Sequence, residues 1–266
     1  IEELVERFAN TAELAKRAGF DGVQIHGAHG YLISQFLSPK TNRRTDKWGG
    51  SAENRRRFLM EVVRAIRRRV GASYPVGVKL NSADFQRGGF DEDESMAVVE
   101  ALEEEGIDLL EISGGTFESA VMFDEGAPSS DSTRRREAFF MDYAEKVREI
   151  SDLPLMVTGG FRTAAGMRDA LESGAVDLVG MARPFAVEPD LPRRLIAGES
   201  DAAADITLET GIKKLDSLIQ GAWYQAQLER LGAGDRPDPE LSRFEAVVRY
   251  VCHDGGEAPE SARKAA

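Results

Sequence analysis

Five short apolar runs recur along this chain, and a segment of helical character separates each from the next. The runs lie at 22–26, 76–80, 107–113, 155–158 and 177–180. In the first, Val23 and Ile25 alternate with Gly22 and Gln24, which is enough for a short strand. A helix over 1–18 precedes it, with Leu4, Val5, Phe8 and Ala12 on one face. Between the later runs, Phe58, Val62, Ile66 and Val70 mark one helix, and Met96, Val99 and Leu102 mark another over 91–105. A polar stretch at 116–135 reads as irregular, its Arg134 to Arg136 as a solvated turn, and the helix after it carries Phe139, Tyr143, Val147 and Ile150. Thr163 is placed to cap a helix that runs to Ser173. Alternation of this kind means a parallel sheet with helical crossovers.

No G-x-G-x-x-G opens a helix after a strand, which disfavours a dinucleotide-binding doubly wound sheet. Polar and glycine residues gather instead at the C-terminal ends of the strands, the rim where β/α-barrel enzymes keep their sites. The expected fold is therefore α/β, of the (β/α)8 TIM-barrel type. A closed barrel needs eight strands and five are legible, so an incomplete barrel of about five β/α units is expected. The last third reads as helices at 191–196, 208–231 and 241–251. The expected organisation is a barrel portion over 1–200, a helical extension over 201–252, and a disordered tail over 253–266.

Charge and cysteine content narrow the function classes. Acidic residues outnumber basic ones, 46 to 34, for a formal net charge of -12. Nucleic acid and anionic lipid are polyanions, so neither is an expected partner. The single cysteine, Cys252, excludes an intramolecular disulfide and an all-cysteine iron–sulfur site within one chain. No apolar run approaches the roughly 20 residues of a membrane span. The opening I-E-E-L-V-E-R-F-A is charged and helical, unlike a signal peptide. A cytoplasmic protein without a membrane partner is the expectation.

Three constellations carry chemistry. His26, His29 and Tyr31 sit where the first strand ends, and the chain has only three histidines. Two neutral imidazoles can each donate one N–H to the same oxygen and stabilise charge developing there. A tyrosine two residues on can supply a proton. Two satisfied structural histidines, or two ligands of a metal, fit the same spacing. The second constellation is a pair of turns, Thr158-Gly159-Gly160 and Gly180-Met181-Ala182-Arg183. Glycines let backbone N–H groups approach an anion, arginine adds fixed charge, and barrels often hold a phosphate after their last two strands. The third is Lys79 in V-K-L-N, whose ammonium must find an ion pair, open water or an anionic part of a cofactor. Asn81 and Ser113 end their strands on the same rim.

The run D-G-V-Q-I-H-G-A-H-G-Y-L-I-S-Q-F-L-S-P-K-T-N-R-R-T-D-K-W-G-G-S-A-E-N-R closely resembles the old yellow enzyme family of flavin-dependent ene-reductases. V-K-L-N-S-A-D-F, E-I-S-G-G, V-T-G-G-F-R and M-A-R-P-F-A-V-E-P-D-L extend the match in order to about residue 192. The resemblance implies an FMN-binding β/α barrel that uses NADH or NADPH to reduce the C=C bond of α,β-unsaturated carbonyl compounds. His26 and His29 resemble the pair that binds the substrate's oxygen, and Tyr31 the residue that protonates its carbon. Lys79 stands where many relatives place an arginine beside the flavin ring. Gly159, Gly160, Ala182 and Arg183 match the turns that hold the FMN phosphate. The histidine motif ends the fourth strand in that family, so this chain resembles strands four to eight. Cys252 alone cannot hold the iron–sulfur cluster of the dienoyl-CoA-reducing branch, which favours the flavin-only branch. The expected partners are an activated alkene and a second copy of the chain. A metal-dependent barrel hydrolase and a non-catalytic barrel remnant are the alternative readings.

Overall fold

In the computed structural model, the described residues are 1–114, 130–206, 208, 210 and 213–253, with the side chains of 130–139, 213, 214, 217 and 253 left aside. Five strands form one parallel sheet in sequence order: β1 (Val23–Gly27), β2 (Val76–Asn81), β3 (Leu109–Ser113), β4 (Leu155–Thr158) and β5 (Leu178–Gly180). Helix α1 (Glu2–Arg17) precedes β1. Helices α2 (Leu32–Leu37) and α3 (Ala52–Val70), α4 (Glu92–Glu104), α5 (Ser130–Ile150) and α6 (Ala164–Glu172) make the crossovers. Sequence-ordered parallel strands with helical returns are the wall of a β/α barrel, here open between β5 and β1 among the described residues. The expected α/β barrel type stands.

Residue alternation explains how the sheet is used. Successive side chains of a strand point to opposite faces. Ile25, Val76, Val78, Leu80, Leu110, Ile112, Leu155 and Val157 are buried on the helix side. Phe58, Leu59, Val62, Val63 and Ile66 of α3 and Val99 and Leu102 of α4 are buried as well. Phe58 anchors the α3 side, its ring 6.1 Å from Phe8 of α1 and 4.4 Å from Phe36 of α2. The other face carries Gln24, His26, Lys79, Asn81, Glu111, Ser113 and Thr158, interrupted by Leu109, Met156 and Leu178. The face that would line a barrel is therefore mostly polar.

Local signals explain the helix ends. Ser51 caps α3 by accepting from the Asn54 N–H, and Asp91 caps α4 by accepting from the Glu94 N–H. Gly71 closes α3 in a positive-φ conformation. Helix α2 lies between the first strand and α3, where no helix is expected from the sequence. Helix α5 begins at Ser130, so the stretch read as irregular over 116–135 is helical in its last part, and Arg134 to Arg136 lie on a helix. The rest of that stretch, and the tail from 254, lie outside the described residues.

The chain divides into two compact units, Ile1–Phe161 with Gly166–Gly180, and Arg162–Ala165 with Met181–Ala266. In the second unit, α7 (Arg183–Val187), α8 (Leu191–Ile196), α9 (Lys213–Gly232) and α10 (Arg243–His253) follow β5. Its core joins Leu208, Ile219, Trp223, Ala226, Leu241 and Ala246. The Trp223 indole N–H donates to the Leu241 carbonyl at 3.0 Å, so this large side chain is buried with its polar atom satisfied. Fully buried Gln227 exchanges two hydrogen bonds with the Asp238 backbone, both 2.7 Å.

Candidate active site

The three residues singled out at the end of β1 come together. The His26 and His29 rings have centroids 5.2 Å apart and planes at 72°. The Tyr31 ring lies 5.1 Å from that of His26. Gly27 permits the arrangement: a Cβ there would stand 2.9 Å from the Lys79 carbonyl oxygen, so β1 and β2 could not approach as they do. His29 has a φ of +64°, a left-handed conformation in which non-glycine residues are uncommon. Its N–H donates to the Asn81 side-chain oxygen at 3.2 Å, and its Nε2 lies 2.7 Å from the Ser113 Oγ. Asn81 and Ser113 are register partners at the ends of β2 and β3, so two paired strand ends hold one imidazole.

Asn81 is itself fixed. Its amide donates to the Asp84 carboxylate at 3.3 Å, and its carbonyl accepts from the Ser95 hydroxyl at 2.8 Å. Asp84 also accepts from the Phe90 N–H at 3.1 Å, which folds the loop after β2 back on itself. Phe85 in that loop has a φ of +53°.

Lys79 is paired. Its ammonium lies 2.7 Å from the Glu111 carboxylate, and the two are cross-strand neighbours in one row with His26. Burial by itself would raise the Glu111 carboxyl, but hydrogen bonds and charge, with Lys79 foremost, more than offset it and hold the group below its ordinary value. Burial, then the charges of Lys79 and His26, push the His29 imidazole down to about 4 against a weaker upward pull from Glu111. Burial and Lys79 lower His26 as well. Both rings are therefore neutral near pH 7, each with one N–H to give. Glu111 and Asp84 lie inside the runs E-I-S-G-G and V-K-L-N-S-A-D-F, but the sequence alone gives neither a role. A lone carboxylate inside the apolar run L-L-E-I-S was the available signal, but it needs the strand register to become a contact with Lys79.

The glycine turns fall in different units. In the first unit, Gly159 and Gly160 both have positive φ, +112° and +84°. The space beside Gly159, where a side chain would project, is open for 4 Å. The Gly159 N–H donates to the Gly180 carbonyl at 3.3 Å, and a Cβ on Gly180 would collide with the Thr158 hydroxyl at 2.0 Å. Adjacent positive-φ glycines at a strand end leave room for a group to approach the backbone closely. In the second unit, exposed Ala182 precedes α7, and Arg183 donates to the Gln220 side chain at 3.0 Å. Among the described residues no group of three or more His, Cys, Asp or Glu side chains could hold a metal ion, so the metal reading of the histidine pair lacks a third ligand there. No described helix is long and apolar enough to cross a membrane.

The first unit is thus a parallel β/α-barrel wall with two imidazoles and a tyrosine on its rim. Residues 1–201 match the NADH:flavin oxidoreductase / NADH oxidase family, and the chain belongs to it. FMN and a nicotinamide reductant are the cofactors of that family. The NADH-dependent flavin oxidoreductase iliE of Hypocrea jecorina (strain QM6a) is 43% identical over 78% of this chain, which spans 52% of that protein. The cinnamate reductase of Clostridium sporogenes is 31% identical over 76% of this chain and is spanned to 32%. A solved 2-naphthoyl-CoA reductase complex is similar with a TM-score of 0.66 and 32% identity, covering 74% of this chain and 29% of that one.

Proposed function

We propose that this protein uses NADH or NADPH, through FMN, to reduce the C=C bond of α,β-unsaturated carbonyl compounds. The observation that carries the reading is the cluster of His26, His29 and Tyr31 at the end of β1. Rings 5.2 Å apart are close enough for one oxygen to lie within hydrogen-bond reach of a nitrogen on each. Neutral imidazoles suit this task, because a donor that stays uncharged stabilises an oxyanion without first protonating the carbonyl compound. His26 and His29 hold the carbonyl oxygen and draw charge toward it, which makes the β-carbon electrophilic. The flavin, when bound, supplies the hydride. Tyr31, exposed beside His26, gives its proton to the α-carbon.

Gly159 and Gly160 would hold the phosphate end of FMN, and Lys79 would lie beside its ring. Lys79 brings its Glu111 partner with it, so the pair offers the flavin less net charge than a lone cation. The roles of Ala182 and Arg183 at the phosphate rest on the sequence resemblance alone. That a relative is named a cinnamate reductase favours an alkene conjugated to a carboxyl or carbonyl group as substrate.

The test is NAD(P)H oxidation by the purified protein with FMN in excess, with and without 2-cyclohexenone. Enone-dependent oxidation above the free-flavin background is expected. In Tyr31→Phe, flavin reduction by NAD(P)H should persist while alkene reduction slows, because the proton enters only in the second half-reaction. Stopped-flow traces in which both half-reactions slow equally would contradict the assignment.

A further inference from the structure

We propose that Ser113 is a positioning residue that selects the Nδ1–H tautomer of His29, so that His29 presents Nδ1–H to the substrate's oxygen. The inference deepens the role given to His29 above and rests on it for its functional meaning. A neutral imidazole carries one N–H, and the hydrogen bond at one nitrogen decides which nitrogen holds it. The Nε2 of His29 is 2.7 Å from the Ser113 Oγ. Two proton arrangements fit that distance. In one, Nε2–H donates to the hydroxyl, and the buried hydroxyl's own hydrogen then needs another acceptor. Among the described residues the Ser113 hydroxyl makes no other hydrogen bond, and the residue is 7% exposed. In the other arrangement the hydroxyl donates to Nε2, both groups are satisfied, and the proton of the ring stays on Nδ1.

The main chain prevents the ring from exchanging its nitrogens freely. His29 is held at φ +64° by the N–H bond to Asn81, and Asn81 is held in turn by Asp84 and Ser95. Asn81 and Ser113 pair across β2 and β3, so backbone and ring are gripped from one rigid sheet edge. Loss of the Ser113 hydroxyl leaves the backbone grip in place and removes only the tautomer preference. Ser113 is thus distinguishable from a residue that merely fills space.

Long-range proton–nitrogen NMR spectra of the full chain, labelled with nitrogen-15 histidine, read the tautomer directly and need no flavin. With three histidines in the chain, His26→Gln and His253→Gln variants assign the His29 signals. At pH 7 the native His29 is expected as Nδ1–H, Ser113→Ala as a shift toward Nε2–H, and Ser113→Thr as a return to Nδ1–H. With FMN added, the dissociation constant for para-chlorophenol should rise on the order of tenfold in Ser113→Ala and recover in Ser113→Thr. Native His29 found as Nε2–H, or an unchanged tautomer in Ser113→Ala, would overturn the proposal. If the tautomer follows Ser113 while the loaded protein reduces no enone, the proposed activity fails and the tautomer assignment stands.

Discussion

His26 sits beside Lys79 in the strand register, and in the proposed mechanism its N–H is one of two given to the substrate's oxygen. Replacing it with alanine removes one donor to a developing oxyanion, an effect of about 2.7–4 kcal/mol in comparable sites. Alkene reduction in His26→Ala should therefore fall by about a hundredfold or more, with weakened phenol binding; an unchanged phenol titration would remove His26 from that role. The second prediction concerns charge. The folded state holds His29 at about 4 against an ordinary 6.5, so between those pH values the unfolded chain binds more proton there. Stability from this group is complete above pH 6.5, rises with pH through the window and is lost as pH falls toward 4. Lys79→Met removes a cation near both rings and leaves Glu111 as an unpaired anion. The His29 titration midpoint should move up but stay below 6.5, because burial, its largest cause, remains. An NMR titration of the imidazole signals measures it; an unmoved midpoint would show that Lys79 does not act on His29.

At the scale of elements, the long loop between α2 and α3 depends on one arginine. The Arg55 guanidinium in α3 donates to the Leu37 carbonyl at 2.8 Å and the Gly50 carbonyl at 2.6 Å, and it pairs with Glu94 of α4. Its side chain is buried, and it ties α3 to the end of α2 and the start of α4. The loop it closes is the one that follows Tyr31 and α2, so this clamp sets the frame on which the rim residues stand. Arg55→Ala leaves two carbonyls and a half-buried carboxylate without their cation. The expected loss is about 3 kcal/mol in urea unfolding, the low end for a broken buried pair, because Glu94 is only partly buried and can take up a proton once Arg55 is gone. Arg55→Met combined with Glu94→Gln should lose less than Arg55→Ala alone. Equal losses would place the stabilisation in the carbonyl contacts instead of the ion pair.

On the whole molecule, the sheet has two edges among the described residues, at β1 and at β5. Edge strands carry unpaired N–H and C=O groups that invite pairing with another chain. The face beside them is largely polar, so hydrogen bonding at the edges, more than apolar burial, is the expected drive to associate. The flavin ring would meet His26, Lys79 and the strand ends on one side of an open wall. The 266-residue chain by itself is therefore expected to associate in gel filtration and to bind FMN weakly. A monodisperse monomer with one tight FMN per chain would contradict both parts. The chain spans about half the length of its fungal relative, which makes the comparison with a longer protein of this family informative.

The sequence by itself determined the five strands and most of the helices in their order, because periodicity and end signals are local. The 2-residue alternation around Ile25 and the recurrence of Phe58, Val62 and Ile66 report which face each element buries, and burial follows. It also determined the family and the neighbourhood of His26, His29 and Tyr31, which lie within one strand end and its turn. What only the tertiary structure decided are contacts between residues far apart in the chain. Lys79 meets Glu111 across 32 residues, and His29 meets Ser113 across 84. Both depend on the parallel register of three strands, and parallel pairing is set by crossover helices whose packing no short window contains. The left-handed backbone of His29 belongs to the same class: nothing in H-G-A-H-G-Y requires it, and the Asn81 side chain that accepts its N–H is placed by another strand. The division into two units likewise depends on contacts between elements far apart in the chain.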